Sequence, residues 1–370
     1  MQHRKKIAHI QVIPHLTGVQ QVSLDILSSL PDEYEKFIIF GGSYQVDDNF
    51  LKKFLDNNTT VLFIPSLKRE IGFHDIAATK ELYKLFKQYQ FDIIHTNSTK
   101  PGVVARFAAK LARCPLVVHT VHGIAYHRFE SLGKRIFYYA IEAFFSLFSD
   151  HLVSVNHFYL KYYPFIRYKT CIHNSVELND ISIALREDIR TLRLGYMARL
   201  DKQKDPLTLL KSVKYGIEHN YFSRDSLSVL IAGEGELSQG CRDYVADNKL
   251  DDVISFAGWV SDKQSFYNKI DVFCLPSIFE AFGLVFLEAA RFNIPSISTD
   301  VEGIPEVVID NETGLLVKPK DYKEMAKKIK RYIEDAELVK IHGNNARERM
   351  QKYFSKQDML NKYNAIYEGR

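Results

Sequence analysis

The stretch Asp271-Val-Phe-Cys-Leu-Pro-Ser-Ile-Phe-Glu-Ala-Phe-Gly-Leu-Val-Phe-Leu-Glu288, followed by Pro295 and the turn Glu302-Gly303-Ile304-Pro305-Glu306, decides how the chain is read. Its first six residues are a short apolar run ending at Pro276, the pattern of a buried parallel strand, and Phe282 to Arg291 predicts a helix. Glu280 lies on the loop between them. Gly283 opens the helix, so the helix's free backbone amides and positive dipole end face the crevice at the strand's carboxyl edge, where a phosphate would sit, and Ala281, Phe282, Gly283 and Leu284 are the candidates for donor binding there. Glu288, inside the helix, can accept two hydrogen bonds from a ribose diol, while Glu280 can reach a second group of the same ligand. Either glutamate alone would read as a solvated side chain on a buried strand-helix unit.

Together they resemble the Glu-x7-Glu motif of the retaining glycosyltransferases of family 4, which have the GT-B fold, and Leu275-Pro276-Ser277 and Glu302-Gly303-Ile304-Pro305-Glu306 look like that family's neighbouring elements. The resemblance covers nearly the whole chain, is strong from Thr191 to Gly314 and is looser in the first half. It implies an α/β protein of two Rossmann-like doubly wound parallel-sheet domains facing across a cleft. Such an enzyme is expected to close on its donor.

A length of 370 residues fits two domains, and 46% apolar with 25% charged residues is the balance of a soluble globular protein. Cys114, Cys171, Cys241 and Cys274 lack metal or disulfide spacing and sit in or beside apolar runs, as reduced core residues of a cytosolic protein would. No signal peptide and no membrane-spanning stretch is expected, so any membrane would be met from its cytoplasmic face. The net charge of +4 is uneven, +5 in residues 1–185 against −1 in the rest, so the first half is the one suited to an anionic partner. Nothing points to nucleic acid.

In the first half, Ile7 to Pro14 reads as a strand and Gly18 to Leu30 as a helix, with Gly18 in the turn that would face a phosphate. Further strands are expected near Phe37 to Gly41, Val61 to Pro65, Asp92 to Thr96, Leu116 to Thr120 and His151 to Val155, with helices such as Asp75 to Tyr89 and Gly102 to Ala112 between them. Two strand ends are polar. In His95-Thr-Asn-Ser-Thr-Lys100-Pro-Gly102, Lys100 and His95 are candidates for an acceptor phosphate, although a plain capped turn explains the same residues. In Val118-His-Thr-Val-His122-Gly123, the family resemblance places His122 beside the donor sugar, while His119 points to the opposite face and reads as structural. From Tyr126 to Tyr168, 14 of 43 positions are aromatic, with Arg128, Lys134, Arg135, Lys161 and Arg167 interleaved, so the stretch suits either a membrane interface or an aromatic core helix.

The expected organisation is an acceptor-binding domain over residues 1–178, a linker over 179–190, a nucleotide-sugar domain over 191–352 and a last helix, 353–370, crossing back to the first domain. In the second half, Thr191 to Met197 and Ser226 to Gly233 read as strands, Pro206 to Glu218 as a helix, and Val253 to Gly258 as a strand before Trp259 and Val260. After a strand at Gly314-Leu-Leu-Val, helices over Tyr322 to Glu334, Val339 to Tyr353 and Lys356 to Tyr367 close the chain. The resemblance makes Arg199 and Lys204 the diphosphate contacts, by a bidentate fork and a point charge. It borders the base with Trp259 and Val260, and Gly233 ends a strand at the same edge.

Four residues, His122, Arg199, Lys204 and Glu280, are thus the catalytic candidates. With no Asp-x-Asp pair anywhere, neither a metal clamp nor a cofactor is expected. The implied activity is retaining transfer of a hexosyl or N-acetylhexosaminyl group from a nucleotide sugar, UDP-linked by family habit, to a glycan or polyprenyl-diphosphate-linked acceptor in surface polysaccharide synthesis. A nucleotide-sugar epimerase of the same fold and a non-catalytic sugar-nucleotide subunit are the rivals.

Overall fold

The computed structural model describes residues 4–42, 44, 46, 48–70, 72–177 and 190–369. The chain forms two compact units, Met1–Asn174 with Lys356–Arg370, and Ser175–Ser355. The linker expected over 179–190 falls, apart from Arg190, outside the described residues.

The first unit carries β1 (Lys5–Ile10), β2 (Tyr34–Gly41), β3 (Thr59–Ile64), β4 (Ile93–Asn97), β5 (Leu116–Val121), β6 (His151–Ser154) and β7 (Lys169–Cys171). They pair in parallel in the order β3-β2-β1-β4-β5-β6-β7. Successive residues feed opposite faces. Ile7, Ile38, Ile93 and Val118 join one apolar cluster, and Ala8, Ile39, Ile94 and Val117 the other, which is why these strands read as continuous hydrophobic runs. The helix Lys356–Tyr367 packs Met359, Leu360, Tyr363, Ile366 and Tyr367 into the first of these clusters. That helix lies within the last 15 residues of the sequence, yet it packs with Ile7 of β1 and Ile38 of β2 in one cluster.

The second unit carries β8 (Leu192–Met197), β9 (Leu227–Ala232), β10 (Ile254–Gly258), β11 (Val272–Leu275), β12 (Ser296–Thr299) and β13 (Gly314–Val317), all parallel, in the order β10-β9-β8-β11-β12-β13. Two strands escaped the sequence reading. At three residues, β7 is too short to show a pattern, and β12, Ser-Ile-Ser-Thr, buries hydroxyls satisfied by carbonyls, Ser298 Oγ to Leu275 O at 2.7 Å among them.

In both sheets the chain winds outward from one strand, then returns to that strand's other side, reversing direction between β1 and β4 and between β8 and β11. Ligands of open α/β sheets bind at the carboxyl ends flanking such a reversal, where adjacent loops diverge. The loops leaving β8 and β11 are those holding Arg199, Lys204 and Glu280.

Candidate active site

The loop after β8 is tied to the loop after β11. Ile278 donates its amide to Gln203 O at 2.8 Å, and Gln203 Nε2 donates to Phe279 O at 3.2 Å. These bonds bring the Lys204 ammonium onto the Glu280 carboxylate, an ion pair in which both side chains are largely buried. Gly303, after β12, donates to Glu280 O at 3.1 Å, so a third strand end fixes the same glutamate. Arg199 behaves differently. Its guanidinium is exposed, 2.9 Å from Asp201 Oδ2 and 3.2 Å from Gln203 Oε1, while buried Tyr196 donates its hydroxyl to Arg199 O at 2.9 Å.

The helix after β11 runs Leu284–Arg291, two residues shorter at its start than expected. Gly283 caps it at φ 79°, in the left-handed region, and a Cβ there would lie 2.5 Å from the Phe286 ring, so only glycine makes this corner without strain. Phe282 is corrected in one respect: its ring is buried against Phe354, centroids 5.6 Å apart, which leaves only its main chain to face a ligand. Glu288 projects from this helix. Its Oε1 meets Lys263 Nζ at 2.5 Å and its Oε2 accepts from the Tyr267 hydroxyl at 3.2 Å. Burial, and then the negative charge of Glu288, raise the Tyr267 pKa well above its usual value, so that hydroxyl stays a donor.

Lys263 and Tyr267 were not singled out from the sequence. They stand four apart on a short helix capped by Asp262, whose side chain accepts from Ser265 N at 3.0 Å. That capping pattern was the available signal, but nothing local says which carboxylate the helix meets. At the ends of β9 and β10, Gly233 has φ 124° and a Cβ on it would fall 2.0 Å from Ala198 O; its amide donates to Gly258 O at 2.7 Å. Trp259 follows, 79% exposed, and Val260 is half-buried.

In the first unit, His122 directly follows β5, half-buried, with Nε2 3.0 Å from Asn97 Oδ1 at the end of β4. Desolvation lowers its pKa to about 4, so the ring is neutral at pH 7. Gly18 begins the helix Gly18–Ser29 directly after Thr17, whose hydroxyl bonds the Gln20 side chain.

Both acceptor candidates need correction. His95 is fully buried, and its ring nitrogens are taken by Thr120 Oγ1 at 2.7 Å and Tyr367 OH at 2.5 Å, so it is a core residue with no free edge. Lys100 is held by Asp75 and by Glu70 O at 2.5 Å, so its ammonium is paired within the protein rather than offered to a phosphate, and Ser98 makes no side-chain capping bond at the start of its helix. His119 is buried and bonded to Thr96 Oγ1 at 2.8 Å, the structural place read for it. Among the cysteines, Cys114, Cys241 and Cys274 are buried, but Cys171 is half-buried, and its Sγ lies within 4.8 Å of a ring nitrogen of His157 and of His173, donors suited to a transition metal.

Two family models match the chain: "Glycosyltransferase Family 4" over residues 16–179 and "Glycosyl transferases group 1" over residues 183–349. An Escherichia coli UDP-Gal:alpha-D-GlcNAc-diphosphoundecaprenol alpha-1,3-galactosyltransferase is 30% identical over 380 residues, covering 98% of this chain and 96% of that one. A Campylobacter jejuni alpha-1,4-N-acetyl-D-galactosaminyltransferase, whose name gives an undecaprenol-diphosphate-linked acceptor, is 26% identical and covers 93% of each chain. Among solved structures, an Anabaena protein crystallised with UDP and glucose superposes with a TM-score of 0.81 at 16% identity, over 99% of this chain and 100% of that one. With two parallel-sheet units, the paired strand-end loops and these matches, the chain belongs to glycosyltransferase family 4 and has the GT-B fold.

Proposed function

We propose that this glycosyltransferase moves a hexosyl or N-acetylhexosaminyl group, with retention and without a metal, from a UDP-sugar to a glycan carried on a polyprenyl diphosphate, in the assembly of a surface polysaccharide. The observation that carries the reading is the Lys204–Glu280 pair at the reversal between β8 and β11, with Glu288 on the helix that follows. The donor and acceptor classes are taken from those of the Escherichia coli and Campylobacter jejuni relatives.

The chemical task is to let a nucleoside diphosphate leave an anomeric carbon, which builds negative charge on the departing phosphate. Lys204, fixed by Glu280, and the amides at Gly283 meet that charge from positions already held, and the exposed Arg199 guanidinium swings onto it from Asp201. Glu288 accepts from the ribose hydroxyls, and Glu280 orients sugar hydroxyls. His122, uncharged at pH 7, contributes a hydrogen bond to a sugar rather than a charge. The acceptor hydroxyl attacks from the face the diphosphate leaves, and its proton passes to the departing phosphate oxygen. Trapping a covalent glycosyl-enzyme would refute this route.

The test is a panel of UDP-hexoses and UDP-N-acetylhexosamines, with and without a polyprenyl-diphosphate-linked N-acetylhexosamine, with chelator present and Glu288→Ala as control. Acceptor-dependent UDP release with a lengthened lipid-linked glycan is expected, and the anomeric configuration of the product reads retention. Isomerised donor without acceptor would establish the epimerase instead, and donor binding with no turnover the silent subunit.

A further inference from the structure

The helix Leu132–Ser146 buries two polar side chains, with Tyr139 and Phe145 packed beside them against Tyr126 and Phe107, and turns an apolar stripe outward. Its buried residues are Glu142 and Ser146, whereas Leu132 is 69%, Ile136 61%, Phe137 56% and Phe144 56% exposed, and Leu147 just beyond it 59%. Leu132, Ile136, Phe144 and Leu147 recur at helical spacing, so they form one stripe rather than scattered surface residues.

What fixes this orientation is a buried charge network. Arg106 is fully buried, and its Nη2 lies 2.9 Å from Glu142 Oε1, with His119 Nε2 3.7 Å from the same oxygen. Arg106 also donates to Gly102 O. Turning the helix over to bury its leucine and phenylalanine side chains would strand the Arg106 guanidinium in the interior without its carboxylate, a change proteins tolerate poorly. The apolar stripe is therefore locked outward.

The margin of the stripe is basic. Arg128 stands 4.9 Å over the ring of exposed Phe129, and Lys134, 64% exposed, projects from the first turn of the helix. Glu130, half-buried, reaches Lys134 at 3.6 Å and is the acid beside them. A stripe of Leu, Ile and Phe bordered by cations, on a helix too short to cross a bilayer, has the chemistry of a segment lying in the plane of an anionic membrane surface. No helix among the described residues is long and apolar enough to span one.

We infer that the outward face of Leu132–Ser146, with Phe129 and Leu147, docks the first unit on an anionic lipid surface, Arg128 and Lys134 meeting the headgroups while Ile136, Phe137 and Phe144 enter the acyl boundary. The inference rests on the first unit alone and stands or falls apart from the donor chemistry.

Co-sedimentation of the full chain with vesicles tests it. The chain is expected to bind phosphatidylcholine vesicles that contain phosphatidylglycerol, and to bind pure phosphatidylcholine more weakly. Ile136→Ser with Phe144→Ser should weaken binding by about tenfold or more, since each removed side chain forfeits its transfer into the acyl region. Arg128→Glu with Lys134→Glu should abolish the preference for phosphatidylglycerol. Circular dichroism and transfer to a water-soluble acceptor confirm that the variants fold. Absence of binding to the anionic vesicles, or binding that the apolar pair of substitutions leaves unchanged, would overturn the proposal. So would a dimer in light scattering that the same pair dissolves, because the stripe would then be a contact between copies of this chain.

Discussion

Lys204 and Glu280 come from loops 76 residues apart and meet in a largely buried ion pair, so each depends on the other for its position. Lys204→Ala should lower kcat/KM about 100-fold, near the ~3 kcal/mol that a preorganised donor to a developing charge is worth, and UDP release under single-turnover conditions measures it. An unchanged rate would remove Lys204 from the diphosphate contact. Tyr267→Phe isolates a positioning effect. The Tyr267 hydroxyl holds Glu288 Oε2 at 3.2 Å, so losing one hydrogen bond of about 1 kcal/mol should raise the donor KM roughly fivefold and leave kcat nearly unaltered. A fall in kcat with KM constant would place Tyr267 in the chemistry instead.

Among the elements, the end of β9 tolerates only glycine at position 233. An alanine there combines φ 124° with a Cβ 2.0 Å from Ala198 O, and the chain must shift where β8 and β9 deliver their loops. Gly233→Ala should cost about 3 kcal/mol, seen as a Tm lower by roughly 6–12 °C. The contact between strands β1 and β4 and the helix Lys356–Tyr367 is polar at its centre. His9 bonds Ser23 Oγ at 3.0 Å and Tyr367 OH at 3.1 Å, next to His95 in the adjoining strand. Burial lowers the His9 pKa to about 3 and that of His95 well below its usual value. The unfolded chain takes up protons near pH 6.5. The folded chain takes none on His9 until about pH 3. Stability is therefore fully present above pH 6.5 and is lost as pH falls below it, by up to about 1.4 kcal/mol per pH unit for each of these histidines. Thermal unfolding followed at pH 7.5 and at pH 5 should show the drop, and equal midpoints would contradict it.

For the molecule as a whole, the two units differ in how they close their cores. The first borrows Met359, Leu360, Tyr363, Ile366 and Tyr367 from the end of the chain, whereas the second is built from one continuous segment. Deleting residues 356–370 should therefore unfold the first unit and spare the second. Limited proteolysis would leave a resistant fragment drawn from the second unit, Ser175–Ser355, and cleavage of both halves at equal rates would contradict the division.

The sequence by itself determined most of the alternation of strands and helices, the two-domain GT-B fold and the places of Arg199, Lys204, Glu280 and Glu288 on the loops and helix after β8 and β11. Those signals are local: a buried parallel strand is an apolar run, and Glu280 and Glu288 keep their spacing because one strand end and one helix fix them both. Tertiary structure decided the rest, because a side chain's partner is chosen by what packs over it. His95 resembled a site residue until Tyr367, 272 residues later, closed over it, and Lys100 until Asp75 took its charge. Lys263 and Tyr267 became the company of Glu288 only when a short helix was laid beside another. The aromatic stretch could not say which way its helix faced until a buried Arg106 claimed Glu142, since the cost of an unpaired interior charge outweighs the gain from hiding an apolar stripe.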